Sequence, residues 1–117
     1  MNYKRVKESK AIINYPVNRY FCNVVINGRW FTKLVISQYY KSKKGRSTVS
    51  DEIIQKLVNQ LNYLKDEEFL RDNKYYNFEP LYVGYRAYNL VWDYDEEKLT
   101  NTLLIIDCYR EKKYDLK

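Results

Sequence analysis

The sequence predicts an α+β domain, one main helix packed on an antiparallel sheet of four to five strands in the order ββ-α-ββ. Three observations carry this. Two β-branched and aromatic runs meet at Asn27-Gly28, one stretch repeats its apolar residues at helical spacing, and two further strand-like runs follow that stretch. The 117 residues suit a single domain spanning 1–117, with charged and flexible ends expected over 1–10 and 111–117.

The first two strands are YFCNVVIN (20–27) and RWFTKLVIS (29–37). Asn-Gly between two such runs signals a two-residue hairpin, because both turn positions need positive φ. Upstream, AIINYPV offers an edge strand at most, since Pro16 lacks the N–H that a central strand donates. In DEIIQKLVNQLNYLKDEEFL, residues Ile53, Ile54, Leu57, Val58, Leu61 and Leu64 form one apolar stripe. Ser50 is placed to cap this helix, with Asp51 and Glu52 in the first turn, where carboxylates suit the helix dipole. Residues 81–94 (LYVGYRAYNLVWDY) read as one long strand in which Gly84 marks a bulge or bend, and LTNTLLIIDCYR (99–110) reads as the last strand.

Several chemistries are excluded by composition. The chain has no histidine, so Ser-His and Cys-His dyads and His-based zinc sites are absent. Three glycines form neither a P-loop nor a dinucleotide fingerprint. Cys22 and Cys108 lack metal-ligand spacing and are expected to be buried, reduced thiols. The carboxylates of DYDEEK (93–98) lack EF-hand spacing and read as a solvated turn. No metal site and no cofactor is expected. There is no apolar run long enough to span a membrane, and MNYKRVKESK lacks the apolar core of a signal peptide, so a cytoplasmic location is expected.

Charge points to a polyanion. Residues 1–50 carry 11 Lys/Arg and one acid, Glu8, whereas residues 51–117 carry 10 Lys/Arg and 14 Asp/Glu. Between Glu8 and Asp51 no acidic residue occurs. Such asymmetry fits RNA or another polyanion as partner, and fourteen tyrosines supply either half-buried sheet residues or stacking faces for bases.

The stretch ISQYYKSKKGRSTVSDEII (36–54) concentrates the signal. Lys41, Lys43, Lys44 and Arg46 lie between a strand end and a helix start, with the hydroxyls of Ser47 and Thr48 beside them. Helix N-terminal N–H groups would complete an anion site. On the last strands, alternation puts Asp107 and Tyr109 on one face and Arg110 on the other with Cys108 and Ile106; Arg86 and Tyr88 share a face. If one sheet face lies under the helix, the other is expected to be a concave basic and aromatic surface. RNA cleavage by 2′-hydroxyl transesterification needs only a base and cations that stabilise the anionic transition state.

The segments YYKSKK (39–44), GRSTVSDEII (45–54), YNLVW (88–92) and IIDCYR (105–110) resemble a set of short toxin-like bacterial proteins. These belong to the RelE, barnase and EndoU group of small ribonuclease toxins. The pattern there is a strand ending in His-Tyr-x-x-Lys-His, then Ser/Thr residues and an acidic helix start. A Tyr-Arg-Leu-Val-Trp strand and a final strand ending in Tyr-Arg follow. Tyr40, Lys43, Trp92, Tyr109 and Arg110 match it; Tyr39 and Lys44 stand in place of histidines, and Asn89 in place of arginine. The resemblance implies a helix-plus-antiparallel-sheet core and a metal-independent, histidine-free endoribonuclease. Lys43 and Lys44 would be base and phosphate neutraliser, Arg46 and Arg110 the phosphate clamp, and Tyr109 a proton relay. Tyr39, Tyr40, Lys41, Ser47, Thr48, Arg86 and Tyr88 would then bind RNA. A protein partner such as an antitoxin, an immunity protein or a target complex is also implied. The other reading is a non-catalytic inhibitor from a virus or mobile element that binds a nucleic-acid-handling complex through the same basic face.

Overall fold

A computed structural model describes residues 14–64, 75–94 and 101–117 and, as backbone, 70–71. The strands are β1 (Val17–Ile26), β2 (Arg29–Ser37), β3 (Leu70–Arg71), β4 (Tyr76–Val83), β5 (Arg86–Tyr94) and β6 (Thr102–Arg110). One helix, α1 (Asp51–Asn59), lies between β2 and β3. The class is α+β, as expected. The strands join one sheet in the order β1-β2-β6-β5-β4-β3.

The sheet is mixed rather than antiparallel, because β2 and β6 pair in parallel at its centre. Both carry unbroken buried runs there, Leu34–Ser37 and Leu103–Ile106, as strands covered on two faces do. Half-covered antiparallel strands alternate instead, and the runs LVI and LLII did not.

The β1–β2 hairpin turns at Asn27 (φ 54°) and Gly28 (φ 74°), the doubly positive pair that matches strand twist. The expected strand over 81–94 is a second hairpin. Gly84 (φ 61°) and Tyr85 make a two-residue turn, so that Val83 faces Arg86, and β4 begins back at Tyr76. The part of AIINYPV before residue 14 and residues 95–98 of DYDEEK fall outside the described residues, whereas Asp93, expected in a solvated turn, is buried near the end of β5.

Ser50 caps α1, its Oγ accepting the Ile53 N–H at 3.2 Å. The helix ends at Asn59 instead of running through the apolar stripe. The backbone beyond it serves the edge of β1: Asn62 Oδ1 accepts the Val25 N–H at 2.7 Å, and the Asn27 N–H donates to the Leu64 carbonyl at 2.7 Å. Satisfying these edge groups takes the place of another helical turn. Ile54, Leu57, Val58 and Leu61 pack on the inner sheet face with Ile26, Phe31, Ile36, Leu90, Trp92 and Leu103. Cys22 and Cys108 are free thiols in strands; Cys108 is buried, as expected, whereas Cys22 is only half-buried.

Candidate functional site

The parallel pairing of β2 and β6 decides where the candidate residues meet. Both strands end at the same edge of the sheet, and β5 starts there because Tyr88 lies opposite Arg110. The loop after β2, the start of β5 and the end of β6 therefore converge. Lys41, Lys43, Lys44, Arg46, Arg86 and Arg110 all lie at this end.

The basic loop is pinned at three points. A 3-10 turn, Gln38–Ser42, follows β2, with Ser37 Oγ accepting the Tyr39 N–H at 3.1 Å. It drops the Tyr40 ring into the core, and Val49 re-enters the core before the helix. Arg46 reaches across to β6, where Nη2 contacts Asp107 Oδ2 at 2.9 Å and the guanidinium lies 4.8 Å from the Tyr109 ring centroid. Between these anchors Lys41, Lys43, Lys44, Ser47 and Thr48 are exposed, as Gly45 turns the chain at φ 79°. Lys41, Lys43, Arg46 and Ser47 line an open depression of about 370 Å³.

Several expected roles change. Tyr40 is 1% exposed and its hydroxyl donates to Asp51 Oδ1 at 2.7 Å, while Tyr88 is 0% exposed; neither has a face for stacking a base. The helix start is no phosphate site: Ser50 takes the Ile53 N–H, and Asp51 and Glu52 place carboxylates in the first turn. The Tyr39 hydroxyl beside Lys43 raises its pKa, which works against the expected role as a base. Its ammonium also lies 5.0 Å from the Tyr39 ring centroid. It remains an exposed cation on the loop. Tyr39 keeps only part of its ring available, since it packs on the outer cluster of Val35, Leu104 and Ile106 and meets Tyr15 edge-on at 5.1 Å.

Arg46 and Arg110 do not clamp one phosphate, because they lie on opposite sheet faces. An irregularity opposite Val91–Trp92 puts Ile106 on the outer side with Asp107, correcting the expected grouping of Ile106 with Arg110. Arg110 points to the helix side over the Tyr88 ring (5.6 Å) and pairs with Asp115. The expected flexible tail, 111–117, instead folds back onto β5.

The outer face is not the expected basic and aromatic surface. Its middle is the buried apolar cluster, and its end gathers Arg46, Asp107, Tyr109, Glu79 and Glu111. Sequence reading missed the two glutamates. Asn89 donates to Glu79 Oε2, and the Glu79 carboxyl lies beside that of Glu111. Burial and that contact raise the Glu111 pKa, with Lys113 partly opposing. Burial, followed by the charges of Glu111, Glu79 and Asp107, raises the Tyr109 pKa, partly offset by Arg46. Of the groups at this end, a carboxyl with a raised pKa is a better proton acceptor near neutrality than an exposed lysine, and a protonated phenol is a donor. The signal for Glu79 was hidden by the missed hairpin that folds β4 against β5.

No protein-family model, curated protein or solved structure matches the chain. Among the described residues no helix is long and apolar enough to cross a membrane, and no group of three or more acidic or thiol ligands is set to hold a metal ion.

Proposed function

We propose that the chain is an RNA-binding protein that contacts phosphates through the Lys41–Thr48 loop. The observation that carries this reading is the exposure of Lys41, Lys43 and Lys44 on a loop held rigid by Tyr40, Arg46 and Val49. Cations held on a fixed scaffold meet a polyanion with little ordering cost. Endonuclease activity of the RelE and barnase type is the finer form of this proposal. Lys43 and Lys44 then neutralise charge, and the Glu79–Glu111 pair beside Tyr109 takes the proton-transfer role.

The test is titration of a single-stranded RNA at several salt concentrations, with the RNA recovered and sized afterwards. Affinity is expected to fall linearly on a log–log salt plot, by about 0.7 in slope for each phosphate contacted. A salt-independent or undetectable interaction at low salt removes the proposal; intact RNA removes only the cleavage step.

A second reading, the non-catalytic inhibitor, is favoured by one feature. Phe21, 88% exposed, lines a groove of about 270 Å³ with Arg19 and Lys33, and Trp30 is 56% exposed on the same β1–β2 hairpin. Exposed aromatics of this kind mark protein contacts. On that reading a Phe21→Ser, Trp30→Ser variant loses a co-purifying protein partner at least tenfold while keeping RNA affinity. Retention of the partner by the variant rejects it.

A further inference from the structure

The C-terminal tail places the Asp115 carboxylate against Arg110 on the helix side of the sheet, away from the Lys41–Thr48 loop. Asp115 is brought back by a 3-10 turn, Lys112–Tyr114, five residues after Arg110. One Asp115 oxygen, Oδ1, accepts the Ala87 N–H at 2.8 Å, and the other accepts from Arg110 Nη2. The carboxylate thus meets one donor per oxygen. A third donor, Arg110 Nε, is buried and has no acceptor among the described residues. Arginine ordinarily presents Nε and Nη2 together as a fork, so the pocket holds more donors than this carboxylate fills. Arg110 lies over the buried Tyr88 ring, which fixes its direction; Arg86, two residues before Tyr88 on β5, has its guanidinium 5.7 Å from the Tyr85 ring centroid.

The tail itself is lightly held. The Leu116 N–H donates to the Tyr85 carbonyl at 2.9 Å, and the Tyr82 hydroxyl to the Tyr114 carbonyl at 3.1 Å. Tyr114 is 40% and Leu116 54% exposed, so little apolar surface anchors it. An ion pair with such a short tether is favoured by effective concentration rather than by packing.

We propose that Arg110, the Ala87 N–H and Arg86 form a phosphate-binding site that Asp115 fills in the free protein, the tail acting as an internal mimic that a phosphate group displaces. A phosphate offers three or more acceptor oxygens in a tetrahedral array. It can satisfy Nη2, Nε and the Ala87 N–H together and leave a further oxygen for Arg86, whereas Asp115, as its short tether places it, leaves Nε without an acceptor. The site lies at the same end of the sheet as the basic loop but on its other face, so its occupancy does not depend on that loop binding RNA.

The experiment is isothermal titration of inorganic phosphate into the wild-type chain, Asp115→Asn, Asp115→Ser and the double variant Asp115→Asn, Arg110→Gln, each checked for native fold by circular dichroism. Both single variants are expected to bind phosphate at least tenfold more tightly than wild type, and the double variant to lose that gain. Equal affinity of wild type and the folded single variants overturns the proposal, as does a gain that survives Arg110→Gln. Lys43→Ala, Lys44→Ala introduced into Asp115→Asn is expected to keep the gain; its loss overturns the assignment to this pocket.

Discussion

Replacing Asp51 by alanine is expected to destabilise the fold by about 3–4 kcal/mol. The carboxylate at the start of α1 accepts from Tyr20 at 2.6 Å, Tyr40 at 2.7 Å and Asn18 at 2.8 Å, and from Gln38 at 3.2 Å. It thereby ties β1, the 3-10 turn and the helix together. Hydrogen bonds to an ionised acceptor are worth roughly twice neutral ones, and truncation strands the buried Tyr40 hydroxyl. Thermal unfolding monitored by circular dichroism checks this, with a Tm drop of roughly 10–20 °C expected. Asp51→Asn, which keeps the shape and loses the charge, should fall between. A drop below about 3 °C in Asp51→Ala shows that the network contributes little.

The same network sets the pH limits of stability. Burial alone would raise the Asp51 pKa, but the hydrogen bonds from Tyr20, Asn18, Tyr40 and Gln38 outweigh it and hold the pKa below the usual value. A carboxyl depressed in the folded state contributes stability above its unfolded pKa of about 4, and that contribution is lost as pH falls through the folded value. Tyr40 behaves in the opposite sense. Burial first, and then the Asp51 carboxylate, push its phenol far above the usual value. Its contribution is present below about pH 10 and is lost as pH rises through the folded pKa. Asp51→Asn should weaken both dependences, since it removes the acidic titration and the charge that helps raise Tyr40.

The second large effect concerns binding. The variant Lys41→Ala, Lys43→Ala, Lys44→Ala is expected to lose roughly a hundredfold in RNA affinity at low salt, from about 1 kcal/mol per lost phosphate contact. The salt slope should shrink by about 2. All three side chains are exposed, so the fold should be unaffected. Arg46 is left in place because its pairing with Asp107 anchors the loop to β6. An unchanged slope in the folded triple variant places the phosphate contacts elsewhere on the chain.

The candidate site was legible in the sequence where its signals were local. The acid-free stretch marked the loop, and Ser50 with Asp51 and Glu52 marked the helix start beyond it. What was not legible was which polar groups the fold would use up. Nothing in YYKSKK distinguishes Tyr39, half-buried on the outer face, from Tyr40, buried against Asp51. Nothing in IIDCYREKKYD shows that Asp115 returns to Arg110. These pairings depend on strand register and a single irregularity in β5–β6, and one residue of slip moves a side chain to the other face.

By itself the sequence determined the α+β class, the Asn27-Gly28 hairpin, the capped start of α1 and the concentration of cations before it. Each follows from interactions within a few residues: positive φ at a turn, a cap on its own helix, apolar spacing along one face. Only the tertiary structure decided that β2 and β6 lie parallel, that Gly84 closes a hairpin, and that α1 stops at Asn59. It also decided which basic residues face solvent and which are engaged by Asp107 or Asp115. Those outcomes are set by competition among distant backbone and charged groups for the same partners, and a competition of that kind is resolved only when the whole sheet is assembled.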